Sequence, residues 1–302
     1  MENIAMNLAN SIRLVALAAI WGGSFALMRI TTPVYGGVGT MWLRIGIAGL
    51  ALVAYARIMD IELAFKVHWR AYLFVGLVSS AIPFWLFAFA MKTLPASYGA
   101  LLNATAPLFG AIFAMLMLGE RLGLARVTGL LLGFTGVGMV VNLGPVTVTH
   151  EVLVAAGACI IATTLYGFIS VYIKKYVTGA PNMGLAACTL LLAATVATPI
   201  AVPATAWSWP TTGVALAVLA LALLCSGAAY LLYYQLISNV GPTRAISVTF
   251  LIPVFGVMWG TVFLGERLTM GAIAGGAVVC VGMLLVLRPA AAVSASQSTE
   301  QN

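Results

Sequence analysis

Apolar stretches alternate along the 302-residue chain with short segments that hold most of its Lys, Arg, Asp and Glu. They predict helices at about 11–30, 38–58, 71–91, 97–118, 124–142, 151–173, 182–203, 213–236, 243–264 and 269–287, each near the ~20 residues that cross the hydrocarbon core of a bilayer. The tetrapeptide Gly119-Glu120-Arg121-Leu122 closes the fourth stretch, and Gly265-Glu266-Arg267-Leu268 closes the ninth. Five spans lie from one copy to the next, and an odd number puts the copies on opposite faces of a membrane. At the same offset of 146, Pro107 meets Pro253, Phe109 meets Phe255, Gly110 meets Gly256 and Gly129 meets Gly275. Ser80, Phe84 and Phe87 likewise meet Ser226, Tyr230 and Tyr233; at 145, Trp21-Gly22 meets Tyr166-Gly167 and Arg29 meets Lys174. The expected fold is therefore an all-α integral membrane protein of ten transmembrane helices. Its two inverted-topology five-helix repeats, 1–145 and 146–290, precede a disordered cytoplasmic tail, 291–302. Repeats of this kind give secondary transporters two interconvertible openings.

Composition agrees: 63% hydrophobic residues, 7% charged residues and a mean hydropathy of +1.10 leave too little polar surface to cover a soluble globule. With a cytoplasmic N-terminus, ten cations fall inside (Arg13, Arg57, Lys66, Arg70, Arg121, Arg126, Lys174, Lys175, Arg244, Arg288) and three outside (Arg29, Lys92, Arg267). That bias predicts both termini in the cytoplasm. The net charge of +7 thus reflects topology and anionic headgroups, and nucleic acid is not an expected partner. The first apolar stretch is expected to remain in the mature protein, since nine more follow it without a convincing cleavage site. Cys159, Cys188, Cys225 and Cys280 fall inside spans with no CxxC spacing and read as buried thiols. No GxxxxGK[ST] motif occurs, His68 and His150 lie outside the spans, and Asp60 is the only Asp. No catalytic residue, metal site or cofactor is expected, and the chain does not read as an enzyme.

Trp21-Gly22 in the first span, Arg44 early in the second, an aromatic third span leading to Pro107, and a closing Gly-Glu-Arg-Leu, a pattern whose Pro and Gly-Glu-Arg-Leu are duplicated, resemble the EamA-type transporters of the drug/metabolite transporter superfamily. The resemblance covers nearly the whole chain. It implies a ten-helix exporter of small metabolites, often amino acids, in a bacterial inner membrane.

A central substrate site is expected where polar and aromatic positions converge. Pro107 and Pro253 lie mid-span, and each removes the donor to a carbonyl four residues earlier, at Asn103 and Thr249. They read equally as hinges lining a cavity and as packing kinks. Ser226, Tyr230, Tyr233 and Tyr234 have helical spacing, and phenols in hydrocarbon need partners. Ser80, Phe84 and Trp85 form the expected opposing wall; Trp21, Phe25 and Tyr166 complete the set, with Tyr98 either a further member or part of the external aromatic belt. Tyr234 reads as interfacial. Arg44 either snorkels to the outer end of its helix or attracts a carboxylate. Glu120, Arg121, Glu266 and Arg267 read as hairpin caps and paired charges, with a secondary gate role. Ala125, Gly129 and Gly133, and Gly271 and Gly275, form small-residue stripes that join either the two halves or two protomers. The expected partners are a small-molecule substrate and the lipid bilayer, with the chain a monomer or homodimer. Amino acids, apolar or aromatic, are the first expectation for the solute; a lipophilic-cation exporter and a membrane scaffold are the alternatives.

Overall fold

The computed structural model describes residues 8–120, 123–142, 147–205, 207–240, 245 and 248–286. Arg121, Arg244, Arg288 and the tail 291–302 lie outside them. Helix is the regular element throughout, and no strand occurs among the described residues. Helical runs at Leu8–Ile58, Phe65–Ala90, Ala96–Leu118, His150–Tyr176, Asn182–Ala204 and Thr212–Val240 are long and apolar enough to cross a membrane; Leu124–Val140, Leu251–Leu264 and Met270–Val286 are shorter. Large apolar side chains such as Leu116, Leu131, Ile161, Ile200 and Val262 are exposed on the molecule's outer surface, as a hydrocarbon solvent requires.

The 51-residue run Leu8–Ile58 is two helices. Met28 and Arg44 would stand about 24 Å apart along a straight helix, yet their side chains meet at 3.9 Å. The reversal occurs at Gly36, whose φ of 69° and ψ of 173° no residue with a Cβ readily adopts. We call the two arms α1 (residues 8–35) and α2 (residues 37–58). The stretch 31–35, expected as connection, is helical, so the turn is tighter than hydropathy suggests. There follow α3 (Phe65–Ala90), α4 (Ala96–Leu118), α5 (Leu124–Asn142), α6 (His150–Tyr176), α7 (Asn182–Ala204), α8 (Thr212–Val240), α9 (Val248–Leu264) and α10 (Met270–Val286).

Three irregularities shape the interior. In α3 the residues Leu77–Ala81, and in α8 the residues Ala220–Ala228, form π-turns, which put Ser80 and Ser226 on wide turns at corresponding places. In α4 the helix breaks at Ala104 and Thr105 and restarts at Ala106–Leu118 with Pro107 in its first turn, where a missing N–H costs nothing. Pro253, its counterpart, sits inside an unbroken α9.

Both Gly-Glu pairs end their helices identically. Gly119 (φ 69°) and Gly265 (φ 64°) take the left-handed cap. Their N–H groups donate to Met115 and Thr261, and those of Glu120 and Glu266 turn back to Ala114 and Gly260 at 3.3 and 3.1 Å.

Close backbone approach holds the helices together, because lipid offers no hydrophobic drive for helix association. A Cβ on Gly129 of α5 would lie 2.6 Å from the Gly282 carbonyl of α10, and one on Gly136 would lie 2.7 Å from that of Gly275. The glycine stripes therefore face each other within the chain. A Cβ on Gly22 of α1 would meet Gly256 of α9 at 2.8 Å, while one on Gly167 of α6 would meet Gly110 of α4 at 2.6 Å. The central core of Phe25, Phe87, Met91, Tyr98 and Leu102 lies between these crossings.

Candidate functional site

A cavity of about 820 Å³ runs through the middle of the helices, within the ~300–1,000 Å³ usual for small-molecule sites. Its deep wall is aromatic. Trp21 and Phe25 reach it from α1, Phe84 and Phe87 from α3, Tyr166 from α6, and Tyr230 and Tyr233 from α8. Trp21 packs on Tyr233 with ring centroids 5.3 Å apart, and Tyr166 stacks on Phe87 at 6.1 Å. Asn103, Pro107 and Thr249 also line the space, as do Ser24, Met28, Ser79, Ser170 and Cys225, which sequence reasoning did not single out. Short polar side chains scattered among apolar ones give no periodic signal.

Other expected residues stand elsewhere. Ser80 is fully buried behind the wall, beside the Tyr230 hydroxyl. Trp85 is 40% exposed on the outer surface; successive helical residues point about 100° apart, so Phe84 can enter the cavity only if Trp85 leaves it. Tyr98 is buried in the core rather than in an external belt, and its hydroxyl has no hydrogen-bond partner among the described residues. Pro253 is not on the lining, although Thr249 and Ile252 of the same helix are. Tyr234 stacks on Tyr230 at 6.3 Å and packs against the α2–α7 core instead of an interface.

Arg44 of α2 does not snorkel. It is 5% exposed and lines the cavity. Its Nε donates to Ser226 Oγ at 2.9 Å, and its guanidinium lies 3.7 Å from the centroid of the Phe84 ring.

The two ends of the cavity differ. One reaches Glu120, Arg126 and Lys174, where Arg126 Nη1 and Lys174 Nζ approach the two Glu120 oxygens at 3.2 and 3.5 Å. Lys174 is 68% exposed, so this end meets solvent. At the opposite end of α4 stands Glu266, which is not on the lining. Its carboxylate accepts hydrogen bonds from Ala96 N (2.6 Å), Ser97 N (3.0 Å) and Ser97 Oγ (2.7 Å) at the start of α4, where helix-terminal donors and the dipole favour a negative charge. Arg29 of α1 lies 3.9 Å from the same carboxylate and donates to the Leu94 carbonyl at 2.6 Å. Each glutamate thus caps or pairs beyond its own hairpin. The matching of Arg29 with Lys174 was the available clue, since each faces the glutamate of the other copy. Arg267 is exposed, and Arg121 lies outside the described residues.

The profile of the EamA-like transporter family matches residues 11–142 and again 153–288. An uncharacterized transporter of Bacillus subtilis, YvbV, is 25% identical over 287 residues, covering 90% of each chain. A chloroplastic WAT1-related protein of Arabidopsis thaliana is 25% identical, over 89% of this chain and 67% of that one. A protein of Streptantibioticus cattleyicolor named "probable terminal-alkyne amino-acid exporter" is 24% identical over 91% of this chain and 92% of its own. A crystal structure of another protein matches 92% of this chain and 96% of that chain with a TM-score of 0.66 at 18% identity; this likeness concerns the fold alone.

Proposed function

The chain belongs to the EamA-like transporter family, and from that premise we propose that it exports small metabolites, apolar or aromatic amino acids first, by alternating access to the central cavity. Members of the family are transporters, not enzymes. The observation that carries the finer reading is the asymmetry of the two ends: the aromatic chamber reaches solvent at Glu120 and Lys174, while Glu266, Ala96 and Ser97 are bonded together off the lining at the opposite end of α4, which in this reading is the closed end.

In this reading ten spans form two inverted repeats, 1–145 and 146–290. The double match of the family profile supports it. So does the pairing of equivalent positions: exchanging residues by 146 converts the Gly129–Gly282 contact into Gly275–Gly136. Exchange by 145 and 146 converts Trp21–Tyr233 into Tyr166–Phe87, and Arg29–Glu266 into Lys174–Glu120. A molecule built from like halves facing opposite ways has a second state in which the closed and open ends trade places. The bias of Lys and Arg supports a cytoplasmic Glu120 end, with both termini on that side of a bacterial inner membrane. The solute then loads from the cytoplasm.

An amino-acid solute suits aromatic walls with a few hydroxyls, and the Streptantibioticus relative's name supports the same class. Lipophilic cations suit it less, because the described lining holds its one carboxylate, Glu120, at the mouth and none in the deep chamber. Counterflow of radiolabelled L-phenylalanine and a wider amino-acid panel in proteoliposomes tests the proposal. Saturable exchange is expected, reduced about tenfold or more by Tyr230→Ala at unchanged membrane insertion, since losing a buried aromatic contact costs roughly 1.5–3 kcal/mol. A panel without saturable exchange, or one in which only lipophilic cations move, removes the amino-acid reading.

A further inference from the structure

We infer that Arg44 binds a carboxylate on the transported solute, so that the cavity selects organic acids and amino-acid zwitterions over amines and amides of the same shape. The inference rests on the transporter reading above and names the chemistry of its site.

Arg44 is a cation deep inside the helices with no counter-ion among the described residues. The carboxylates of the described residues are Asp60, Glu62, Glu120, Glu151 and Glu266, and the ion pairs formed among those residues join Glu120 and Glu266 to other cations. A guanidinium carries five N–H donors in a rigid plane. Here Nε–H goes to Ser226 Oγ and one Nη1–H contacts the Met28 sulfur at 3.9 Å, which leaves three without an acceptor among the described residues. The side chain is also aimed: Ser226 holds one edge and the Phe84 ring lies beneath it. A planar fork fixed at one edge and open toward a cavity matches the two oxygens of a carboxylate. The other cations on the lining, Arg126 and Lys174, are at the mouth and paired with Glu120. A single deep positive charge therefore suits a monoanion better than a phosphate dianion.

The repeat sharpens the argument. Gly46 approaches Ala194 and Gly49 approaches Leu191 where α2 packs on α7, and exchange by 145 turns one contact into the other. The same offset places Thr189 opposite Arg44. Thr189 returns its hydroxyl to the Leu185 carbonyl. A charge required for packing would be expected in both halves; one present in a single half makes the chamber polar at one wall, where a solute's acid group can register.

The test uses the full chain in detergent, following thermal unfolding with 3-phenylpropionate, L-phenylalanine, L-phenylalaninamide, phenethylamine and phenyl phosphate. The two carboxylates are expected to raise the unfolding temperature saturably, with the amide, the amine and the phosphate ester ineffective at the same concentrations. Arg44→Gln should weaken carboxylate binding about ten- to a hundredfold, the range for hydrogen bonds to a charged group, and Arg44→Lys should restore part of it. The inference is overturned if the amide or amine stabilises as well as the acid, if phenyl phosphate binds more tightly, if no carboxylate stabilises, or if Arg44→Gln leaves the acid's affinity unchanged. The comparison of acid with amide needs no variant, so it decides even if Arg44→Gln does not fold. Counterflow after the same proteins are reconstituted into proteoliposomes separates the readings: Arg44-dependent binding without flux sinks the transport proposal alone, and flux indifferent to the carboxylate sinks this one alone.

Discussion

Tyr98 carries a phenol that is 1% exposed, in a core of Phe25, Phe87 and Met91, and its oxygen finds no partner among the described residues. An unmade hydrogen bond in such a place costs about 1–3 kcal/mol. Removing the oxygen alone should return part of that, so Tyr98→Phe is expected to keep or raise the thermal unfolding temperature. A clear fall would mean that the hydroxyl has a partner, such as water or solute. Most of the aromatic residues that line the cavity were legible in the sequence; where each ring points was less so. On sequence alone Phe84 and Trp85 belong to one wall, yet one lines the cavity and the other is exposed. Tyr98 could be assigned to a belt or a cavity because both need a ring at a helix start, and only three-dimensional packing places it in neither. Arg44 posed the same difficulty, since snorkelling and a cavity role need the same residue at the same depth.

Among the elements, hydrophobic runs predicted the helices well because backbone polar groups in a bilayer must be satisfied within the segment. The breaks were only partly visible. Pro107 marks a real interruption in α4 while Pro253 does not interrupt α9, so proline alone did not distinguish a break from a tolerated kink. The π-turns in α3 and α8 have no hydropathy signature, and they shift the phase of Ser80 and Ser226 relative to the helical face that α-spacing implies. The small-residue stripes were legible but their partner was not. With α5 and α10 packed through Gly129, Gly136, Gly275 and Gly282, a methyl at Gly282 would come within 2.6 Å of the Gly129 carbonyl and the Gly133 nitrogen. Gly282→Ala should therefore lower stability by about 1–3 kcal/mol, the usual cost of overpacking. Gly157→Ala in α6 is the control: it has nothing within 4 Å, and it should gain about 0.5–1 kcal/mol from reduced backbone freedom. Thermal unfolding of both proteins checks the pair, and equal shifts would remove the α5–α10 contact from the stability of the fold.

For the molecule as a whole, the decisive contrast is between two glutamates in identical tetrapeptides. Glu266 is 9% exposed, and its carboxylate holds two N–H groups and a hydroxyl at the start of α4. Glu120 is 37% exposed and faces two cations at the rim. Bonds from neutral donors to a buried carboxylate contribute about 1.5–3 kcal/mol each way they are lost, whereas rim pairs contribute about 0–1 kcal/mol. Glu266→Gln should therefore destabilise the closed end markedly, and Glu120→Gln should barely change this state. Under alternating access the effect has a direction as well as a size. Weakening the closed end by about 1.4 kcal/mol moves the balance toward the opposite opening tenfold. Ser24→Cys, on the cavity lining, in a background with Cys159, Cys188, Cys225 and Cys280 replaced by Ala, reports that balance to an impermeant maleimide. Labelling from the Glu266 side should rise about tenfold in Glu266→Gln and stay unchanged in Glu120→Gln. If both variants label alike from that side, Glu266 does not close the cavity, and the like halves do not work as opposed gates.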